Sequence, residues 1–174
     1  MKACLTGALL VLVVVMSGCF FDAAEKQLQD LTCDNRALKN MAIYNLGENR
    51  VKAAVPLLVE LLKERTPKDI RINAIEALGK ICDEHAVKAL IAVLEEQDRA
   101  IRETVVEALG KIKDPRAVDP LIAVLDDRDV RLTAIWALGN IGDRRAVPAL
   151  TGLLKSSNVY VRYNAVQALK AMGI

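Results

Sequence analysis

One histidine, four cysteines and 22 carboxylates are the groups to weigh first for metal, nucleophilic or acid–base chemistry in this chain. His85 follows Cys82-Asp83-Glu84, and Cys-x-x-His supplies two metal ligands where a site wants three or four. Arg116 and Arg145 occupy the matching positions further along, so His85 reads as a solvated turn residue. The acid pairs Glu95-Glu96 and Asp126-Asp127 close a helix or fill a turn. The glycines recur at a long period and form no phosphate-cradling loop. Catalytic, cofactor-binding and metal residues are therefore all read as none, and the chain as a non-enzyme. Cys19 differs from the other cysteines. A Lys-led apolar run, Ala3 to Met16, precedes it, and Ser17-Gly18 stand just before it. That run is short for a bilayer span, which takes about 20 apolar residues. It has the flanks of a secretory h-region ending in a small-residue cleavage site.

Residues 1–19 resemble a bacterial lipoprotein signal with its lipobox, Met16 standing where Leu is usual. The resemblance implies cleavage before Cys19 and lipidation of its thiol. The organisation that follows is a signal peptide over 1–18, a lipidated Cys with a minimal tether over 19–21, and a folded domain over 22–174. The expected location is the bacterial cell envelope, lipid-anchored. In a cell with two membranes it is the outer membrane facing the periplasm, because Phe20 stands where an Asp retains such proteins at the inner membrane.

Without residues 1–18 the chain keeps 156 residues, with 23 bases against 22 acids. A charge near +1 gives no electrostatic case for nucleic acid. Aromatics make up 3% of the chain, and Ala, Leu, Val and Ile dominate, which suits closely packed helices better than strands.

The elements that must position these residues repeat. Leu46-Gly47, Leu78-Gly79, Leu109-Gly110 and Leu138-Gly139 are spaced by 32, 31 and 29 residues, and Leu169-Lys170 follows 31 later with Lys in the Gly position. A base stands seven residues before each of these leucines: Lys39, Arg71, Arg102, Arg131 and Arg162. Ala-Val follows the first four glycines at fixed distance, from Ala54-Val55 to Ala146-Val147. A period near 31 residues signals a solenoid. Each unit reads as two helices. In the third, Asp114 caps, Pro115 takes the first turn, and Val118, Leu121, Ile122 and Leu125 make one apolar face. The predicted first helices cover 22–32, 51–64, 84–96, 115–126 and 144–156. The predicted second helices cover 35–47, 68–80, 99–111, 128–140 and 159–172. The fold class is all-α, a right-handed α-solenoid of about five stacked helical hairpins.

The register [VI]-R-x-x-[AV]-x-x-A-L-G-x-[IL]-x-[DE]-x-x-A-V resembles HEAT repeats, in particular the short HEAT-like repeats of phycobilin lyase subunits. The resemblance covers residues 30–174. It implies that Arg71, Arg102, Arg131 and Arg162 tie neighbouring repeats through acidic partners, Lys39 departing from that column. By the helix assignment, Cys33 lies between the helices of one hairpin and Cys82 between two hairpins. A 13-residue helix separates those turns by about 20 Å, against the roughly 7 Å that a disulfide spans, so no intramolecular bond is expected.

The positions one and five after each base form a stripe along the second helices. They read Asn40 and Tyr44, Ile72 and Glu76, Glu103 and Glu107, Leu132 and Trp136, Tyr163 and Gln167. Core positions barely change between repeats, whereas this stripe changes every time. Extended repeats bind on the concave face that such helices line. The expected partner site thus has an acidic centre at Glu76, Glu103 and Glu107 and an apolar, aromatic part at Leu132, Trp136 and Tyr163. Tyr44, Ile72 and Gln167 complete it. Trp136 has two readings, a binding residue or packing between repeats. The expected function is a membrane-anchored scaffold or assembly factor that binds a protein or peptide, itself membrane-associated, with no cofactor. The alternative is an enzyme or enzyme subunit related to phycobilin lyases.

Overall fold

The computed structural model describes residues 21–174; the signal segment, Cys19 and its lipidation lie outside the described residues. Among the described residues ten α-helices follow one another: α1 Phe21–Asp30, α2 Arg36–Glu48, α3 Val55–Glu60, α4 Lys68–Ile81, α5 Val87–Val93, α6 Arg99–Ile112, α7 Val118–Ala123, α8 Arg131–Ile141, α9 Val147–Leu153 and α10 Val159–Ala171. They pair into five hairpins stacked as a right-handed solenoid. Among the described residues no helix is long and apolar enough to cross a membrane.

The even-numbered helices are the predicted second helices, within one to three residues at each end. The Asn35, Asp98 and Asn158 side chains accept N–H bonds from the first turns of α2, α6 and α10. The odd helices are shorter than predicted. Those after α1 each open with a 3₁₀ turn: Lys52–Ala54, Glu84–Ala86, Pro115–Ala117 and Arg144–Ala146. The cause is visible in three of them. Asp83, Asp114 and Asp143 each accept the N–H two residues on, and their carbonyls accept the N–H three residues on, which winds the entry tighter than an α-turn.

The helices form two layers. Each even helix packs along the next, α2 on α4 on α6 on α8 on α10. The odd helices reach the following hairpin mainly through its 3₁₀ turn. The core lies between the layers. Leu46, Leu78, Leu109 and Leu138 are sealed from solvent, as are Leu58, Leu90, Leu121 and Leu150 from the other layer. Each such side chain contributes about 1.5–3 kcal/mol by burial.

The glycines set the spacing of the inner layer, and all four lie inside their helices rather than past them. A Cβ on Gly47 would stand 2.9 Å from the Ala77 Cα, on Gly79 3.0 Å from Ala108, on Gly110 2.8 Å from Ala137, and on Gly139 2.8 Å from Ala168. Backbones therefore meet across a glycine–alanine seam with no room for another carbon.

Candidate functional site

The stripe forms as one face of the even helices. Tyr44, Glu76, Glu107, Leu132, Trp136, Tyr163 and Gln167 are exposed along it, and Ile72 and Glu103 are half-buried. Asn40, at its N-terminal end, is committed to structure: its amide donates to Asp69 Oδ2 at 3.2 Å and its oxygen accepts from Asn73 at 3.0 Å.

The apolar part is the best-defined feature. Leu132 and Trp136 sit one turn apart on α8, 41% and 40% exposed, and with Glu107 and Thr133 they line a shallow depression of about 300 Å³. The Trp136 ring also packs on the neighbouring helix, its Cζ3 2.7 Å from where a Gly110 Cβ would be. Both readings of Trp136 thus hold in part: one edge of the ring packs between repeats and the rest faces out. Tyr163, 62% exposed on α10, continues this surface into the last hairpin.

The acidic centre is less charged than its sequence. Lys111 pairs with Glu107 at 2.7 Å and Arg99 lies 3.8 Å from Glu103, each on the same helix. Tyr44 stands apart at the N-terminal end under Lys80, whose Nζ lies 5.0 Å from the ring centroid and 2.6 Å from Glu48. The hydrogen bond that Lys80 donates to the Glu48 carboxylate raises the Lys80 pKa.

The arginine column does less between repeats than the family pattern implies. Arg71, 6% exposed, bonds Glu96 of the next hairpin at 2.6 Å. Arg102 bonds Asp127 of the next hairpin and also the Glu96 and Gln97 carbonyls of its own turn. Arg131 and Arg162 bond only carbonyls of their own turns, Leu125 and Asp126, Ser156 and Ser157. The reason is local: the position of Glu96 and Asp127 is Ser156 in the last hairpin, and no described hairpin follows Arg162.

A second set of ties was not read from the sequence. The first turn of each of three even helices reaches an acid at the start of the next: Arg36 to Asp69 at 2.6 Å, Lys68 to Asp98 at 2.5 Å, Arg99 to Asp129 at 3.7 Å. Arg36 holds the Asp69 carboxyl down at a pKa of about 2, helped by Asn40, and Lys68 lowers that of Asp98. The signal was the cation at one fixed register and the acid about 30 residues later.

Cys33 and Cys82 are both free, Cys33 in the turn after α1 and Cys82 as the C-cap of α4. His85 is exposed, with Nδ1 2.6 Å from Asp83 Oδ1. Among the described residues, no three His, Cys, Asp or Glu side chains are grouped to hold a metal ion.

A chain in the complex of CpcE and CpcF of phycocyanin lyase from Nostoc sp. PCC7120 is 27% identical, with a TM-score of 0.74 over 92% of this chain and 67% of that one. An engineered protein matches at 25% identity and TM-score 0.63, over 86% and 79% of the two chains. A designed armadillo repeat protein in complex with the peptide (KR)4 matches in fold, at 22% identity and TM-score 0.69 over 87% and 82%. No curated protein sequence matches at a significant level. The first likeness corrects the reading of this chain as a non-enzyme: along nearly its whole length it is similar to a chain of a lyase complex. That lyase is a complex of two chains, and a single chain need not carry a complete catalytic constellation. The family model for HEAT repeats matches residues 24–95, 61–130 and 118–173, and the chain belongs to the HEAT repeat family.

Proposed function

We propose that this chain is a subunit of a lyase-type enzyme, related to the phycobilin lyases, that holds a protein along the face of its even-numbered helices. The observation that carries this reading is the likeness to a phycocyanin lyase chain over 92% of the sequence. The stripe supports it. Trp136 and Tyr163, exposed beside Leu132 and a shallow depression, are the residue types that anchor protein interfaces. The lipid anchor belongs to the same proposal. With Cys19 acylated, only Phe20 separates the lipid from α1 at Phe21, so the solenoid works close to a membrane of the cell envelope and meets a membrane-associated partner.

The test is spectroscopic. The purified chain is mixed with a linear tetrapyrrole, alone and with the partner it captures from solubilised membranes, and the visible spectrum is recorded. A displaced chromophore band, lost in a folded Leu132→Ala, Trp136→Ala, Tyr163→Ala variant, is the expected result. A spectrum identical to that of free pigment in both mixtures overturns the lyase reading. A Cys19→Ala chain that still partitions with membranes overturns the anchor.

A further inference from the structure

A second concavity lies at the C-terminal ends of the even helices, one turn beyond the stripe. It holds about 460 Å³ and is lined by Gly47, Gly79 and two residue columns. The first column, one residue after each glycine, reads Glu48, Lys80, Lys111, Asn140. The second, three residues after each glycine, reads Arg50, Cys82, Lys113, Gly142, of which the first three line the cleft. Four cations thus face one carboxylate.

The second column is the unusual one. All four of its residues have positive φ: 51° at Arg50, 55° at Cys82, 61° at Lys113 and 74° at Gly142. Glycine is what that backbone favours, and one repeat has it. Arg50 and Lys113 instead keep a long cationic side chain at the left-handed position that ends a helix. The two pairs of cations also differ. Lys80 and Lys111 are paired, with Glu48 and Glu107. Arg50 and Lys113 have no ion-pair partner among the described residues and meet only the partial negative charge of the helix ends beside them.

We propose that this cleft binds an acidic segment of a partner protein in extended conformation, with carboxylates spaced about three residues apart. The spacing follows from the stack. Packed helices lie about 8–10 Å apart, so cations on successive hairpins recur at that interval. An extended chain advances about 3.4 Å per residue, and every third side chain matches it. A nucleic acid fits less well, because it carries a charge on every nucleotide and asks for aromatic stacking platforms. This cleft has no aromatic lining.

The experiment is fluorescence anisotropy on the full chain with a labelled peptide bearing Glu at every third residue, at about 50 and about 200 mM salt. The test variant is Arg50→Gly with Lys113→Gly, which removes both charges while giving the backbone the residue it favours. Lys155→Glu, outside the cleft, is the control. The expected results are a salt-sensitive complex, about tenfold or more weaker in the glycine variant and unchanged in the control. Equal binding by the glycine variant overturns the proposal, as does absence of binding by the native chain. Displacement of the peptide by inorganic phosphate at equal charge overturns it in favour of a small-anion site. Tighter binding of a single-stranded oligonucleotide overturns it in favour of nucleic acid.

Discussion

Asp69 shows what one side chain does in this stack. Its carboxyl joins the second hairpin to the first through Arg36 and Asn40, and its pKa falls from 3.8 to about 2. A depressed folded-state pKa stabilises the fold above the ordinary value, and that contribution is lost as pH falls through the folded one. Stability should therefore decline between about pH 4 and about pH 2, and Arg36→Ala should move the Asp69 titration, followed by carboxyl NMR, back toward 3.8. A wild-type Asp69 titrating at the ordinary value would show that the ion pair does not persist in water. Trp136 gives the second residue-scale prediction. Part of its ring packs on α6, so Trp136→Ala should lower stability by about 1–2 kcal/mol, short of the about 3–5 for a fully buried aromatic. Thermal and denaturant unfolding check it. The sequence showed the stripe because variability stood out against an unchanging core. It hid the Glu103 and Glu107 counter-ions, because a base four residues away on the same helix looks like ordinary surface composition. The non-enzyme reading failed for a related reason: one chain displays only its own share of a site.

At the scale of the helix, the glycine–alanine seam decides the packing. Gly110→Ala would drive a carbon to 2.7 Å from Trp136 Cζ3 and 2.8 Å from the Ala137 backbone. A loss of about 1–3 kcal/mol is expected, with an altered tryptophan emission, since overpacking displaces both neighbours. Gly152→Ala is the contrast. That glycine lies in α9 with nothing within 4 Å of an added Cβ, so the same change should be neutral or stabilising by up to about 1 kcal/mol. Chemical denaturation of the two variants side by side checks the pair. The even helices were legible because caps, apolar faces and the leucine–glycine mark agree. The 3₁₀ entries of the odd helices were not. Apolar periodicity over 115–126 averages across a tight turn, whereas the Asp114 side chain bonding to Arg116 N–H is a three-residue event.

Across the whole molecule, each hairpin touches its neighbours and little else. Stability is then nearly a sum of units and interfaces. A chain ending at residue 143 should keep the first four hairpins folded, with a lower melting temperature and helical circular dichroism reduced in proportion. A wholly unfolded product would show that the last hairpin is required for all the others. The solenoid and its repeat length were legible in the sequence because every unit says the same thing five times. The left-handed residues at Arg50 and Lys113 were not, because a single sequence shows no sign of φ at a position where glycine is optional.

The two layers are joined so differently that they must respond differently to load. On the inner side, backbone meets backbone across a single missing carbon, which leaves no slack to compress and none to draw out. On the outer side, short helices connect mainly through 3₁₀ turns, with no such backbone seam. Bending should therefore pivot on the inner seam, and the graduations along that side stay fixed while the outer side opens and closes. The even-helix face behaves as a ruler, its marks one helix apart whatever the curvature of the whole.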